Sequence, residues 1–126
     1  MMPEKPHHDL EKHKHSAEIV ALTAKQITKD FSMFGMDVSF SGNTALAYPE
    51  LMLQLTAHVQ WLLQIDQEKL FALMYQIDIS QQSVHECLLR DQNPAAAISD
   101  LIIRREMMKV LTVLYFKNLK KNSGQI

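Results

Sequence analysis

The chain has 126 residues, a net charge of −1 and 47% hydrophobic residues. That length suits one domain, and the hydrophobic fraction is too high for a disordered chain. A net charge near zero excludes a global field that would attract nucleic acid or an acidic membrane. A single cysteine, Cys87, excludes an intramolecular disulfide, which fits a reducing cytoplasm.

Three glycines and four prolines make a composition that favours helices over turns and strands. We predict an all-α, single-domain bundle of four to five helices. Residues 1–15 are expected to form a mobile tail rich in His and Lys, residues 16–119 the bundle, and residues 120–126 a frayed tail. The start of the chain has no apolar run typical of a signal peptide, so a cytoplasmic protein is expected.

The first predicted helix runs from Ser16 to Phe31, with apolar residues recurring along one face. An irregular segment at about residues 32–47 follows. Its two glycines and Asn43 are typical of turns, and its alternating apolar residues allow a short extended piece. Four hydrophobic side chains indicate that this loop is packed down: Phe34, Met36, Val38 and Phe40.

The second predicted helix opens near Pro49 and ends at Ile65. No charged residue lies between Glu50 and Asp66, although a helix facing water normally carries Lys and Glu there. The face opposite the expected core holds Leu53, Ala57 and Trp61 among glutamines. Such a face indicates either burial on both sides of the helix or a subunit interface, for which these three residues are the candidates. Trp61 could equally anchor that interface or fill the core.

Short helices are predicted from Gln67 to Asp78 and from a Ser80 cap to Arg90, with Asp66 capping the former. The last helix is predicted from Pro94 to about Lys117. Connections this short predict that neighbouring helices pack directly on one another.

Asp100 and Arg104 fall within the widest apolar arc of the last helix, one above the other. Charges in a core must be paired, because removing them from water costs several kcal/mol per ion. We therefore predict a buried polar network in which Asp78 bonds Arg104 or Arg105. Its five candidate members are Asp78, Asp100, Arg104, Arg105 and Glu106.

The sequence contains no cluster of Cys and His with zinc spacing, no phosphate loop and no nucleophile elbow. We therefore assign no catalytic, cofactor-binding or metal-binding residues. His58 is expected to be a hydrogen-bonded histidine at the edge of the core, and Cys87 a small core residue. Basic residues gather near the C-terminus, but they are mixed with apolar ones rather than forming a clean stripe.

Two short segments, Tyr75-Gln-Ile-Asp-Ile-Ser80 and Leu101-Ile-Ile-Arg-Arg-Glu106, resemble a pattern in small helical bacterial proteins of uncharacterised function. The resemblance covers about residues 16–118. It implies an all-helical cytoplasmic protein and brings no activity, cofactor or catalytic residue. It draws attention to Asp78, Arg104, Arg105 and Glu106.

The leading functional hypothesis is a non-enzymatic interaction or regulatory protein that acts as a homodimer, with a further protein partner left open. The first alternative is an enzyme or small-molecule binder whose Asp/Arg cluster lines a pocket. The second alternative is nucleic-acid binding through the basic C-terminal helix, which the mixed face disfavours. No membrane association is expected, because residues 51–65 are too short and too polar to span.

Overall fold

A computed structural model describes residues 16–123, with side chains described through Lys120. This part of the chain is all-α, as predicted. Its five helices are α1 (Ala17–Met33), α2 (Ala47–Ile65), α3 (Gln67–Ile77), α4 (Gln81–Arg90) and α5 (Pro94–Ser123). The predicted tail at residues 1–15 lies outside the described residues.

The long helix α5 is the centre of the bundle, since all four other helices pack against it. Its most extensive contacts are with α2 and α1. The core draws on every helix, because each one buries an apolar face. Representative residues with no exposed surface are Ile27, Leu55, Leu73, Val84 and Ile102.

The connection between α1 and α2 is packed down, as its apolar residues predicted. Met36 and Val38 are buried in the core. The backbone is anchored to α2 by side chains: the Gln54 Nε2 donates to the Ser39 carbonyl at 2.7 Å, and the His58 Nε2 lies 2.7 Å from the Asp37 carbonyl. The expected core-edge role of His58 is therefore confirmed. No strand forms within residues 16–123.

The caps predicted at Asp66 and Ser80 are present, whereas Ser16, which precedes α1, makes no side-chain cap hydrogen bond. Some helix ends differ from the prediction, and α1 ends at Met33 rather than Phe31. Asp66 accepts a hydrogen bond from the Lys69 N–H at 3.1 Å, and Ser80 accepts one from the Ser83 N–H at 3.1 Å. A 3-10 turn at Thr44–Leu46 leads directly into α2, which begins at Ala47 rather than Pro49. Helix α5 continues to Ser123, past Lys117 and into the predicted frayed tail, because neither Gly nor Pro interrupts it before that point.

None of the helices within residues 16–123 is long and apolar enough to cross a membrane.

Candidate functional site

The predicted polar network separates into two partly exposed ion pairs and one buried acid. The Arg104 Nε donates to Asp100 Oδ2 at 2.8 Å, and the two side chains are 36% and 31% exposed. The Tyr48 hydroxyl from α2 donates to the other Asp100 oxygen. The prediction that Asp100 and Arg104 are buried is therefore wrong. They lie at the border of the apolar arc, where Tyr48 bonds Asp100 and both charged side chains are partly exposed to water.

The second pair joins α5 to the end of α3. The Arg105 Nη2 lies 2.5 Å from Asp78 Oδ2, and its Nε donates to the Asp78 carbonyl at 3.2 Å. The predicted bond between these helices is present. Asp78 is not buried, however: its side chain is 74% exposed because it follows the last residue of α3. Its backbone is left-handed, with φ of 74°, and closes the helix through the Ile79 N–H to the Met74 carbonyl at 2.8 Å.

Glu106 is the one predicted network residue that is fully buried, and it faces an acid. Its side chain is 0% exposed, and Asp30 on α1 beside it is 1% exposed. Neither carboxylate oxygen of Glu106 receives a hydrogen bond from any described residue. The Lys109 Nζ lies 3.6 Å from Oε1. Lys109 approaches only one Glu106 oxygen and makes no hydrogen bond with it, so the nearby Asp30 carboxyl disfavours ionisation of Glu106.

Burial raises the pKa of Glu106 to about 8, the neighbouring Asp30 carboxyl adds to the shift, and Lys109 opposes it. A protonated Glu106 becomes a donor, and Asp30 is the acceptor beside it. The Gln26 Nε2 donates to both Asp30 oxygens, at 3.3 and 3.2 Å. At neutral pH Glu106 therefore keeps its proton in this closed core position.

Sequence reasoning missed Asp30, although a signal for it existed. Asp30 follows Ile27 by three residues and Thr23 by seven, so all three lie on one face of α1. That face is buried along its whole length. An acid there needs a partner as much as Asp100 did, and the helical period alone could have raised the question.

An open groove of about 940 Å³ runs between α1 and the second half of α5. Basic side chains line both walls: Lys25 and Lys29 on α1, and Arg105, Lys109 and Lys117 on α5. None of the described residues lining this basic groove is acidic. Gln26 and Lys109 belong to its walls and also contact the buried acids, so the Asp30–Glu106 pair lies directly behind it.

A smaller cavity of about 320 Å³ lies between α1, α2 and α5. It is mainly apolar, and Tyr48 connects it to the ion pair, since its ring lines the cavity and its hydroxyl bonds Asp100. Asp100 and Arg104 are not among its lining residues. The cluster therefore borders this cavity through Tyr48.

The remaining candidates for a reactive site are the thiol of Cys87 and clusters of metal-binding side chains. Cys87 is buried, and burial followed by the charges of Asp91 and Glu86 raises the pKa of its thiol, which disfavours the reactive thiolate. Within residues 16–123, no group of three or more His, Cys, Asp and Glu is placed to hold a metal ion.

The outer face of α2 is uncovered. Leu53 is 77% exposed and Trp61 is 51% exposed, while Ala57 between them is also exposed. Ile65 extends the same exposed surface at the end of the helix. These side chains form an apolar face, called here the α2 outer face, that no other described helix covers.

Comparison with known proteins adds no assignment. The chain matches no family model, no curated protein and no solved structure. The resemblance to small helical bacterial proteins therefore stays a prediction, and functional inference depends on the surfaces described above.

Proposed function

We propose that the protein is a non-enzymatic helical interaction protein that works as a homodimer paired through the α2 outer face. The observation that carries this proposal is the combination of exposed Leu53, Ala57 and Trp61 with the absence of charge from Leu51 to Ile65. Monomeric proteins rarely leave a contiguous apolar helix face in water. Trp at the centre of such a face is typical of an interface anchor.

Because the α2 outer face carries no charge, it is better suited to bind a second copy of this chain than an unrelated partner. A two-fold interface places the same patch against itself, so a charge near its centre would meet a like charge. The exposed polar residues between the apolar ones are Gln60 and Gln64. A glutamine amide both donates and accepts, so it pairs with its own copy.

Sedimentation equilibrium combined with tryptophan emission tests the proposal, because Trp61 is the only tryptophan in the chain. We expect a dimer at micromolar concentration and a blue shift of the emission as the dimer forms and removes the indole from water. Leu53→Lys keeps the probe and should return both readings to the monomer values.

The matched control is Leu89→Lys, because Leu89 on α4 is also highly exposed and lies outside the α2 outer face. It should leave the dimer intact. A protein that stays monomeric up to about 100 µM would overturn the proposal, since an interface of this kind is expected to reach micromolar affinity. A dimer that is insensitive to Leu53→Lys would refute the assigned surface.

A further inference from the structure

We infer that the basic groove between α1 and α5 is a docking site for an acidic amphipathic helix of a partner protein. This surface is separate from the α2 outer face, so it would give each subunit of the proposed dimer a second contact. The occupant is identified by three properties of the groove: its charge, its floor and its shape.

The charge of the groove calls for an acidic occupant. Lys25, Lys29 and Lys117 are exposed and have no ion-pair partner among the described residues. Arg105 and Lys109 bring the number of cations to five. Both already have an acidic neighbour, Asp78 for Arg105 and Glu106 for Lys109. Three cations that pair with no acid in the described part of the chain attract anions to one concave surface and fix the orientation of what binds.

The floor of the groove is apolar, which separates a peptide from a nucleic acid. The name floor is used here for the aliphatic side chains that line the groove: Leu22, Val110, Val113 and Leu114. None of the described residues lining the groove is aromatic, whereas single-stranded nucleic acids are usually held by stacking on aromatic rings. Aliphatic side chains with a basic rim instead suit the Leu-rich face and acidic flanks of an amphipathic helix.

The shape of the groove suits a helix more than a small ligand or a lipid surface. Its α5 wall runs from Arg105 to Lys117, which at ~1.5 Å per residue is ~18 Å, or about three helical turns. Small-molecule sites enclose most of their ligand, while this groove is open along its length. A groove between two helices can accept a third helix, as in ordinary helix packing.

The test uses fluorescence anisotropy with a fluorescein-labelled synthetic peptide of about four turns, Leu at helical spacing on one face and Glu elsewhere. We expect saturable binding below about 100 µM that weakens as salt is raised. A peptide of the same composition with scrambled order has no apolar face, so it should bind at least tenfold more weakly.

Two variants locate the site. Lys29→Glu with Lys117→Glu reverses one exposed charge on each wall and should reduce affinity at least tenfold. The matched control, Lys69→Glu with Arg90→Glu, makes the same charge change on α3 and α4 outside the groove and should not. Val113→Asn makes the floor polar at an exposed position and should weaken binding, whereas Leu89→Asn should leave it unchanged.

The other occupants give distinct results. Binding to vesicles with one quarter phosphatidylglycerol, without binding of the acidic peptide, would make the surface a membrane site and overturn the inference. Equal affinity for the amphipathic and scrambled peptides would also overturn the inference. So would an unchanged affinity in the variant with Lys29→Glu and Lys117→Glu. If the reversal instead dissociates the protein's own oligomer, the groove is occupied by a second copy. A failed dimer test with successful peptide binding would leave this inference standing.

Discussion

The carboxyl group of Glu106 on α5 lies against that of Asp30 on α1, and both side chains are closed off from solvent. Each helix thus contributes one acid to the same small volume between them. A buried acid pair holds together only when one member keeps its proton, because two adjacent negative charges without water repel strongly. The packing of α1 on α5 is therefore tied to the protonation of Glu106.

The first prediction is that the free energy of unfolding falls as pH rises from about 4.5 to about 8. Folded Glu106 keeps its proton up to a pKa of about 8, while the unfolded residue loses it near 4.5. The folded state therefore binds more protons in this window. The stabilisation is complete below the unfolded pKa of 4.5 and is lost as the pH rises through the folded pKa of about 8. Between them the free energy of unfolding falls by up to ~1.4 kcal/mol per pH unit.

Urea unfolding at several pH values across this window measures the effect. Glu106→Gln keeps the shape without a titrating group, so it should flatten the slope and be more stable than the parent at pH 8. Glu86→Gln, at an exposed position on α4, is the matched control and should keep the parent slope. A parent protein whose stability is flat over this range would show that Glu106 is ionised in the core.

The second prediction concerns the other acid of the pair. Asp30→Asn removes the negative charge that helps to hold the proton on Glu106, so the upper end of the sloping window should move below pH 8. Desolvation remains, so the end should stay above the ordinary glutamate value. Unfolding of the variant at matched pH values measures this, and a double-mutant cycle with Glu106→Gln isolates the coupling of the two acids. Additive effects of the two substitutions would mean that the carboxyls do not interact.

The Asp30–Glu106 pair also shows which features of the fold can be predicted from the sequence and which cannot. The helical period placed Leu53, Ala57 and Trp61 on the side of α2 opposite the expected core, and the structure leaves that side exposed. An angular position on a helix predicts which side chains share a face. It does not say how far neighbouring helices cover the edge of that face.

That limit explains the errors at α5. Asp100 and Arg104 share the apolar arc but are about one third exposed, because neighbouring helices do not cover them completely. Glu106 has no exposed surface, because α1 packs against it. The depth of each position depends on the crossing of α1 and α5, which one helix's period does not contain. The groove was out of reach for the same reason, since it forms between α1 and α5 and its five cations come from distant segments.

The third prediction contrasts the two faces of α2. Leu55→Ala should cost about 2 to 5 kcal/mol, because its side chain has no exposed surface and leaves a cavity. Leu53→Ala should change the unfolding free energy of the monomer by less than about 0.5 kcal/mol, since most of its surface is in water. Denaturant unfolding at low protein concentration measures both. Equal costs would place Leu53 in a core.

The fourth prediction uses the left-handed backbone of Asp78. Asp78→Asn keeps a residue type that tolerates positive φ and loses only the pair with Arg105. It should cost less than about 1 kcal/mol, because that pair is well exposed to solvent. Asp78→Val loses the same pair and forces a β-branched residue to φ of 74°, so it should cost about 1 to 2 kcal/mol more. Thermal melts of the two variants compare them directly, and equal melting temperatures would contradict the left-handed assignment.

The fifth prediction returns to Arg104, which is about one third exposed on α5 and whose guanidinium pairs with Asp100. Arg104→Met keeps most of the side chain's volume and should be less destabilising than Arg104→Ala. The difference should be no more than about 1 kcal/mol, because Arg104 and Asp100 are each about a third exposed and water can solvate the carboxylate left behind. Denaturant unfolding measures the three proteins. Alanine costs of several kcal/mol would restore the buried network that the sequence suggested, since only a sealed, unpaired Asp100 is penalised so heavily.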